Sequence, residues 1–296
     1  MKTAQRTAFA TIGIGITVLA LKTYAWHMTG SAALYSDALE TVVNVVASVI
    51  AYWAVRFAAQ PADHNHPYGH AKVEFIAAVA EGALIVVAAV SILNHAYVTY
   101  LFPHALAAPL TGIAVNLAGT AINLVWALHL FGVSKRMRSP ALRGDARHLM
   151  ADVVTGIGVT MGVALAVETG RLWLDPVVAA LTAVYVLWSG VHLIGQSMGA
   201  LMDMAPTDGT VTRIEEIIRA NGKGAIEAHE VRARSAGRMT FVQFHLVVPG
   251  EMTVVQSHEI CDRIETALRQ EMSHLVINIH VEPEHKVKPD GAIALG

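Results

Sequence analysis

Charged residues are nearly withheld from the first two hundred positions of this chain, and that asymmetry limits what it can fold into. Asp, Glu, Lys and Arg number 20 in residues 1–200 and 24 in residues 201–296. Soluble domains carry about 25% charged residues, a share that the last stretch meets and the first falls far below. A segment this long and this poor in charge cannot cover a surface facing water. With 54% hydrophobic residues and a mean hydropathy of +0.48, a single water-soluble domain is excluded. The net charge of −2 and the lack of a basic block argue against a nucleic-acid footprint. The single Cys261 excludes an intramolecular disulfide framework and a cysteine-cluster zinc site.

About 20 apolar residues cross the hydrocarbon layer, and six stretches qualify. They lie at roughly 7–26, 32–55, 71–97, 111–133, 148–168 and 172–199. Thr29-Gly30, Pro61, Pro67-Tyr68-Gly69, Pro103, Pro109, Pro140 and Gly170 punctuate them. The first follows only Lys2 and Arg6, but apolar character continues past it, so it reads as a retained helix rather than a signal peptide. Lys135, Arg136, Arg138, Arg143 and Arg147 separate spans four and five, and Arg56 follows span two. The loops near 27–31 and 98–110 hold no Lys or Arg. The positive-inside rule then puts both termini in the cytoplasm.

Residues 205–296 read as a small cytoplasmic domain after a transmembrane domain at 1–204. Pro206-Thr207-Asp208-Gly209 opens a helix carrying Ile214, Ile217 and Ile218, and Asn221-Gly222 closes it. Residues 225–234 and 239–248 form a predicted hairpin around Ser235-Ala236-Gly237. Strict alternation puts Phe241, Gln243 and His245 on one face and Val242, Phe244 and Leu246 on the other. A helix near 253–271 and a strand near 275–282 complete an αββαβ order, two helices on a three-stranded sheet.

Ionisable groups inside spans are costly and mark pathways. Span two holds Asp37, Glu40 and Asn44, and span five holds His148 and Asp152. Glu40/Asn44 and His148/Asp152 are i,i+4 pairs, each on one helix face. Opposed, they offer two carboxylates, an imidazole and an amide oxygen, a donor set for a divalent first-row ion. The competing reading is interhelical hydrogen bonding. After span two, Asp63, His66 and His70 stand three and four residues apart, a metal-ligand spacing, or a solvated turn with chance histidines. The tail adds His229, His245, His258, His280, Glu282 and His285, which only the fold could bring together.

These residues carry a resemblance. Gly30-Ser31, Ser36-Asp37-Ala38-Leu39-Glu40 and Asn44 resemble the second helix of the cation diffusion facilitator family of metal transporters. His66 to Glu74 (HPYGHAKVE) is similar to the segment that follows it there, and His148-x-x-x-Asp152 to the fifth-helix pair. Leu201-Met202-Asp203, Gln243-x-His245-Leu246 and Ile279-His280-x-Glu282 resemble the junction and the tail. The resemblance implies a homodimer in the lipid bilayer, in the bacterial inner membrane, that exports Zn²⁺ or a related divalent ion in exchange for protons. It implies no organic cofactor and no enzymatic activity.

By position, Glu40, Asn44, His148 and Asp152 match the transport ligands, with Asp37 an additional candidate. Asp63, His66 and His70 match a loop site, and His229, His245, His258, His280 and Glu282 match regulatory sites. Lys72 and Asp203 match a charge interlock between protomers. The chain departs from zinc-transporting members in presenting Glu40 and Asn44, which opens Mn²⁺, Fe²⁺ and Co²⁺ beside Zn²⁺. Two other readings remain: a metal sensor or assembly scaffold that does not transport, and an intramembrane metalloenzyme on Asp63, His66 and His70. The second lacks an HExxH helix and a separate general base.

Overall fold

The computed structural model describes residues 2–137, 140–206, 209–237, 239–288 and 291–295. Six long helices come first: α1 (Lys2–Thr29), α2 (Ala32–Ala58), α3 (Val73–Leu101), α4 (Pro109–Met137), α5 (Pro140–Thr169) and α6 (Leu174–Leu201). Each lies on one expected span. Most overrun it by a few residues, because helical hydrogen bonding continues past the apolar core into the flanks. The breaks need left-handed backbone, supplied by Gly30 (φ 70°) between α1 and α2 and by Gly170 (φ 66°) after α5. Among the described residues, α2 to α6 each carry a stretch long and apolar enough to cross a membrane. The 28-residue α1 is as long but holds Lys22. Arg138, and the side chains of Lys2, Arg6, Arg136 and Arg143, lie outside the described residues.

Residues 1–54 and 77–194 form one compact unit, and residues 55–76 and 195–296 a second. In the first, small residues let helices approach closely, as membrane bundles require. A Cβ on Gly82 of α3 would meet Ile194 Cγ1 at 2.6 Å and the Gly190 carbonyl of α6 at 3.0 Å. Ala25, Ala33, Leu34, Ile92, Val159, Val163 and Ala183 fill the interior, while Val87, Val125, Leu181 and Trp188 face outward, as a lipid surround demands. The start of α2 is capped from α6. Buried Asp175 accepts from the Ser31 hydroxyl and from the backbone N–H groups of Ala32 (2.7 Å) and Ala33 (3.2 Å). A carboxylate there satisfies orphan donors and complements the positive helix end.

In the second unit, α7 (Thr210–Asn221), β1 (Glu227–Ala236), β2 (Met239–Val248), α8 (Val254–Glu271) and β3 (Leu275–Pro283) realise the αββαβ order. A single 3₁₀ turn at Glu284–Lys286 leads to a two-residue β4 (Ile293–Ala294). The sheet is therefore four-stranded, β3-β2-β1-β4, with one strand more than expected. Buried Ile293 docks β4 on the core, where it pairs with Glu227 and Ala228 and covers the first part of the β1 edge. Thr207 and Asp208 of the expected helix start lie outside the described residues. Thr253 and Gln256 form a reciprocal capping box that begins α8. Ile214, Ile217 and Ile218 of α7 and Ile260, Ile264 and Leu268 of α8 pack on Val242, Phe244 and Leu246 of β2. This leaves His245 on the opposite face.

Candidate metal centres

In the bundle, α2 and α5 face one another across a cavity of about 60 Å³ whose lining includes Glu40, Asn44, His148 and Asp152. The Asn44 amide Nδ2 donates to Asp152 Oδ2 over 2.9 Å. Asp152 is buried, and Glu40 Oε2 is shielded from solvent with no hydrogen-bond partner. His148, one turn from Asp152, is exposed. A second cavity of about 40 Å³ reaches Asn44, His148 and Asp152 from the side of α1 and α4.

Asp37 is placed differently. Its Oδ1 lies 2.6 Å from Nζ of Lys22 on α1, and both side chains are 1% exposed. Its Oδ2 is buried without a partner. Lys22 is a site residue that sequence reasoning missed, although a lysine within a span is itself a signal. Half-buried Glu81 of α3, within electrostatic range of His148, was missed as well.

In the second unit, Asp63, His66 and His70 present donor atoms within 4.8 Å of one another. His66 Nδ1 lies 3.1 Å from Asp63 Oδ1, and His70 Nε2 lies 3.1 Å from His66 Nδ1 and 3.4 Å from Asp63 Oδ2. The backbone N–H of His66 donates to Asp63 Oδ1 and, ahead of the other contributions, holds that carboxyl below its ordinary range. The group is thus a ready carboxylate at a protein surface. His70 is buried against Phe57, with Nδ1 unpartnered.

Strand register assembles the tail group. His229 pairs with His245 across β1–β2, and His245 pairs with His280 across β2–β3, so three rings stand in one row. Glu282 reaches this row from β3: Oε2 lies 3.3 Å from His229 Nε2 and Oε1 3.5 Å from His245 Nδ1. His229 Nε2 and Glu282 Oε2 are buried, close, and without a hydrogen-bond partner, which suits a cation between them. A β-bulge after His229, with Glu230 at φ 52°, aims Glu230 at the same cluster. Glu230 was missed because strict alternation sends it to the other face. Glu227, also missed, accepts from His229 Nδ1 (3.0 Å), the hydrogen bond that orients a ligating imidazole from behind. His258 lies apart, exposed on α8 beside Asp262, and His285 is exposed in the 3₁₀ turn.

Lys72 donates to Asp203 Oδ1 over 2.8 Å within the chain, and Arg234 donates to the same oxygen over 2.9 Å. Hydrogen bonds from Lys72 first and Arg234 second hold the Asp203 carboxyl below its usual range.

Residues 8–202 match the family model described as the cation efflux transmembrane domain, and residues 206–284 match the cation efflux protein cytoplasmic domain. The chain belongs to the cation efflux family. It is accordingly an integral membrane transporter with a cytoplasmic C-terminal domain, not an enzyme, and the tail is the family's dimer-forming module. An uncharacterised transporter of Synechocystis is 39% identical over 280 residues, covering 95% of this chain and 90% of that one. The cation-efflux pump FieF of Pectobacterium atrosepticum is 30% identical over 276 residues, covering 93% and 91%. The metal-bound C-terminal domain of the CzcD transporter from Thermotoga maritima is 26% identical, covering 28% of this chain and 100% of that one, with a TM-score of 0.25. With α6 leading into a cytoplasmic tail, the α2–α3 and α4–α5 connections of this cation efflux protein are cytoplasmic. Asn44 and His148 therefore lie on the cytoplasmic side of Glu40 and Asp152.

Proposed function

We propose that this protein exports divalent first-row metal ions from the cytoplasm in exchange for protons, with Glu40, Asn44, His148 and Asp152 as its transport site. The carrying observation is the shared cavity in which Asn44 is hydrogen-bonded to Asp152 and Glu40 holds an unpartnered buried oxygen. Two carboxylates, an imidazole and an amide oxygen form a mixed donor set that suits Zn²⁺ and also accepts Mn²⁺, Fe²⁺ or Co²⁺. The hydrogen bond leaves the Asn44 carbonyl oxygen as its metal-facing atom. Zn²⁺ is the leading cargo.

Metal needs ionised carboxylates and a neutral imidazole, so protons compete with it for the same atoms. His148 supplies the imidazole for that exchange. The inward-facing site takes metal from the cytoplasm, rocking of the bundle exposes it outward, protons displace the ion, and the protonated site returns. Residues 1–204 perform this cycle. Residues 205–296 pair two chains and bind regulatory metal at His229, His245, His280 and Glu282, with Asp63, His66 and His70 as a separate loop site. The membrane is the bacterial inner membrane.

Purified protein in vesicles with an imposed pH gradient tests this. Saturable Zn²⁺ flux that follows the gradient and is competed by Mn²⁺, Fe²⁺ or Co²⁺ is expected. Metal binding without flux would instead assign a sensor or scaffold.

A further inference from the structure

Lys22 is the largest fully buried side chain of the described residues, and it sits within the bundle beside the transport site. A lysine there is retained only with a partner or a purpose. Its partner is Asp37, at 2.6 Å, one helical turn from Glu40 on α2. The charges of Asp37, Glu40 and Asp152 all act on Lys22, and those of Asp37 and Asp152 act on Glu40. The bundle thus holds three carboxylates and one ammonium in mutual range. With the carboxylates ionised, as metal binding requires, the four groups carry two net negative charges, which one divalent cation neutralises.

The surroundings keep Asp37 in place. Gly156 of α5 passes so near that an added Cβ would lie 3.7 Å from Asp37 Oδ2 and 2.8 Å from Thr120 Oγ1 of α4. Without Lys22, the buried and unpartnered Oδ2 and the freed Oδ1 would make Asp37 a third anionic ligand one turn below Glu40. With Lys22 in place, a metal ion approaching Asp37 meets a fixed like charge.

We propose that Lys22 is a built-in counter-cation that reserves Asp37, holds the transport site at two carboxylates and so sets it to bind a divalent ion loosely enough to release it. This rests on the transport-site reading above. Lys22 is a specificity-determining residue that touches no metal. It acts through the charge it cancels, and a packing role alone would not reproduce that action.

The test is Zn²⁺ flux in vesicles for Lys22→Gln, Asp37→Asn and the double variant, compared with the unmodified protein, whose loop and tail sites all of them share. Lys22→Gln should lower KM about tenfold and lower kcat as metal is retained, the size expected from uncovering one nearby carboxylate. Asp37→Asn, which leaves the ammonium uncompensated, should raise KM by about as much. The double variant should return KM to within about threefold of the unmodified protein, since neither charge remains. If Lys22→Gln yields no folded dimer, the other two variants decide: a double variant with KM as high as Asp37→Asn makes Asp37 a ligand and overturns the proposal. An unchanged or raised KM in folded Lys22→Gln also overturns it. Glu40→Ala is the control, because flux that survives it sinks the transport-site reading and not this inference alone.

Discussion

Asn44 and Asp152 hold α2 against α5 through one hydrogen bond of 2.9 Å, donated by a neutral amide to a buried carboxylate. The bond uses the amide nitrogen and leaves the carbonyl oxygen, so the same pair that ties the helices also presents two oxygens to the cavity. A carboxylate satisfied in this way does not need a metal ion to be tolerated. Under the proposed transport reading, that lets the site persist between one ion and the next.

Glu40→Ala and Asp152→Ala should each abolish flux, by at least about 100-fold, while leaving a folded dimer, since each removes one of two anionic donors. Vesicle flux beside size-exclusion profiles measures this. Near-normal transport in either folded variant would remove the site assignment.

Asn44→Asp replaces a donor facing Asp152 with a second acceptor, so the pair then needs a proton or a cation between its oxygens. Zn²⁺ binding should tighten, preference should move toward Zn²⁺ over Mn²⁺, and transport should depend more steeply on pH. Competitive flux of both ions at several pH values reads all three. An unchanged ion preference together with an unchanged pH profile would make Asn44 a bundle hydrogen-bond donor only.

The Asp203 contacts carry a pH signature. A carboxyl held below its usual range, by Lys72 and then Arg234, contributes stability that is present above the unfolded pKa of about 3.9. That stability is lost as pH falls through the lower folded value. Thermal melts of the full chain should therefore keep the contribution at pH 5 and lose it only in stronger acid. Asp203→Asn should flatten that acid limb. The shift in melting temperature should be small, because the pair is exposed to solvent.

Gly82→Val in α3 should destabilise the bundle by about 1–3 kcal/mol or prevent its folding, the range for overpacking. The new side chain would press on Ile194 and on the Gly190 carbonyl, which is backbone and cannot turn away. Yield and melting temperature in detergent report it. A normal melt would show that α3 and α6 separate there at little cost.

The tail fold and the i,i+4 pairs were legible because each is a local pattern: alternation in residues 239–248, and a one-turn spacing in Glu40/Asn44 and His148/Asp152. What escaped depends on distance or irregularity. Lys22 and Asp37 are fifteen positions apart on different helices, and no periodicity links them. Glu230 joins the histidine row only because a bulge breaks alternation. β4 has two residues, too few to form a pattern. Residues 55–76 group with the tail by contact, although composition ties them to the spans.

Glu227 has a second duty. The same oxygen that accepts from His229 also accepts from the backbone N–H of Lys288, at 2.8 Å, just before the strand that closes the sheet. The segment after Pro283 is therefore moored to an imidazole of the histidine row by a single shared atom. A change in the His229 ring on binding a cation would reach Lys288 through this oxygen, and a bulky reporter fused behind Ile293 would reach the ring by the same route. For anyone labelling this protein, the C-terminal edge is the one handle that a metal-sensing measurement should leave bare.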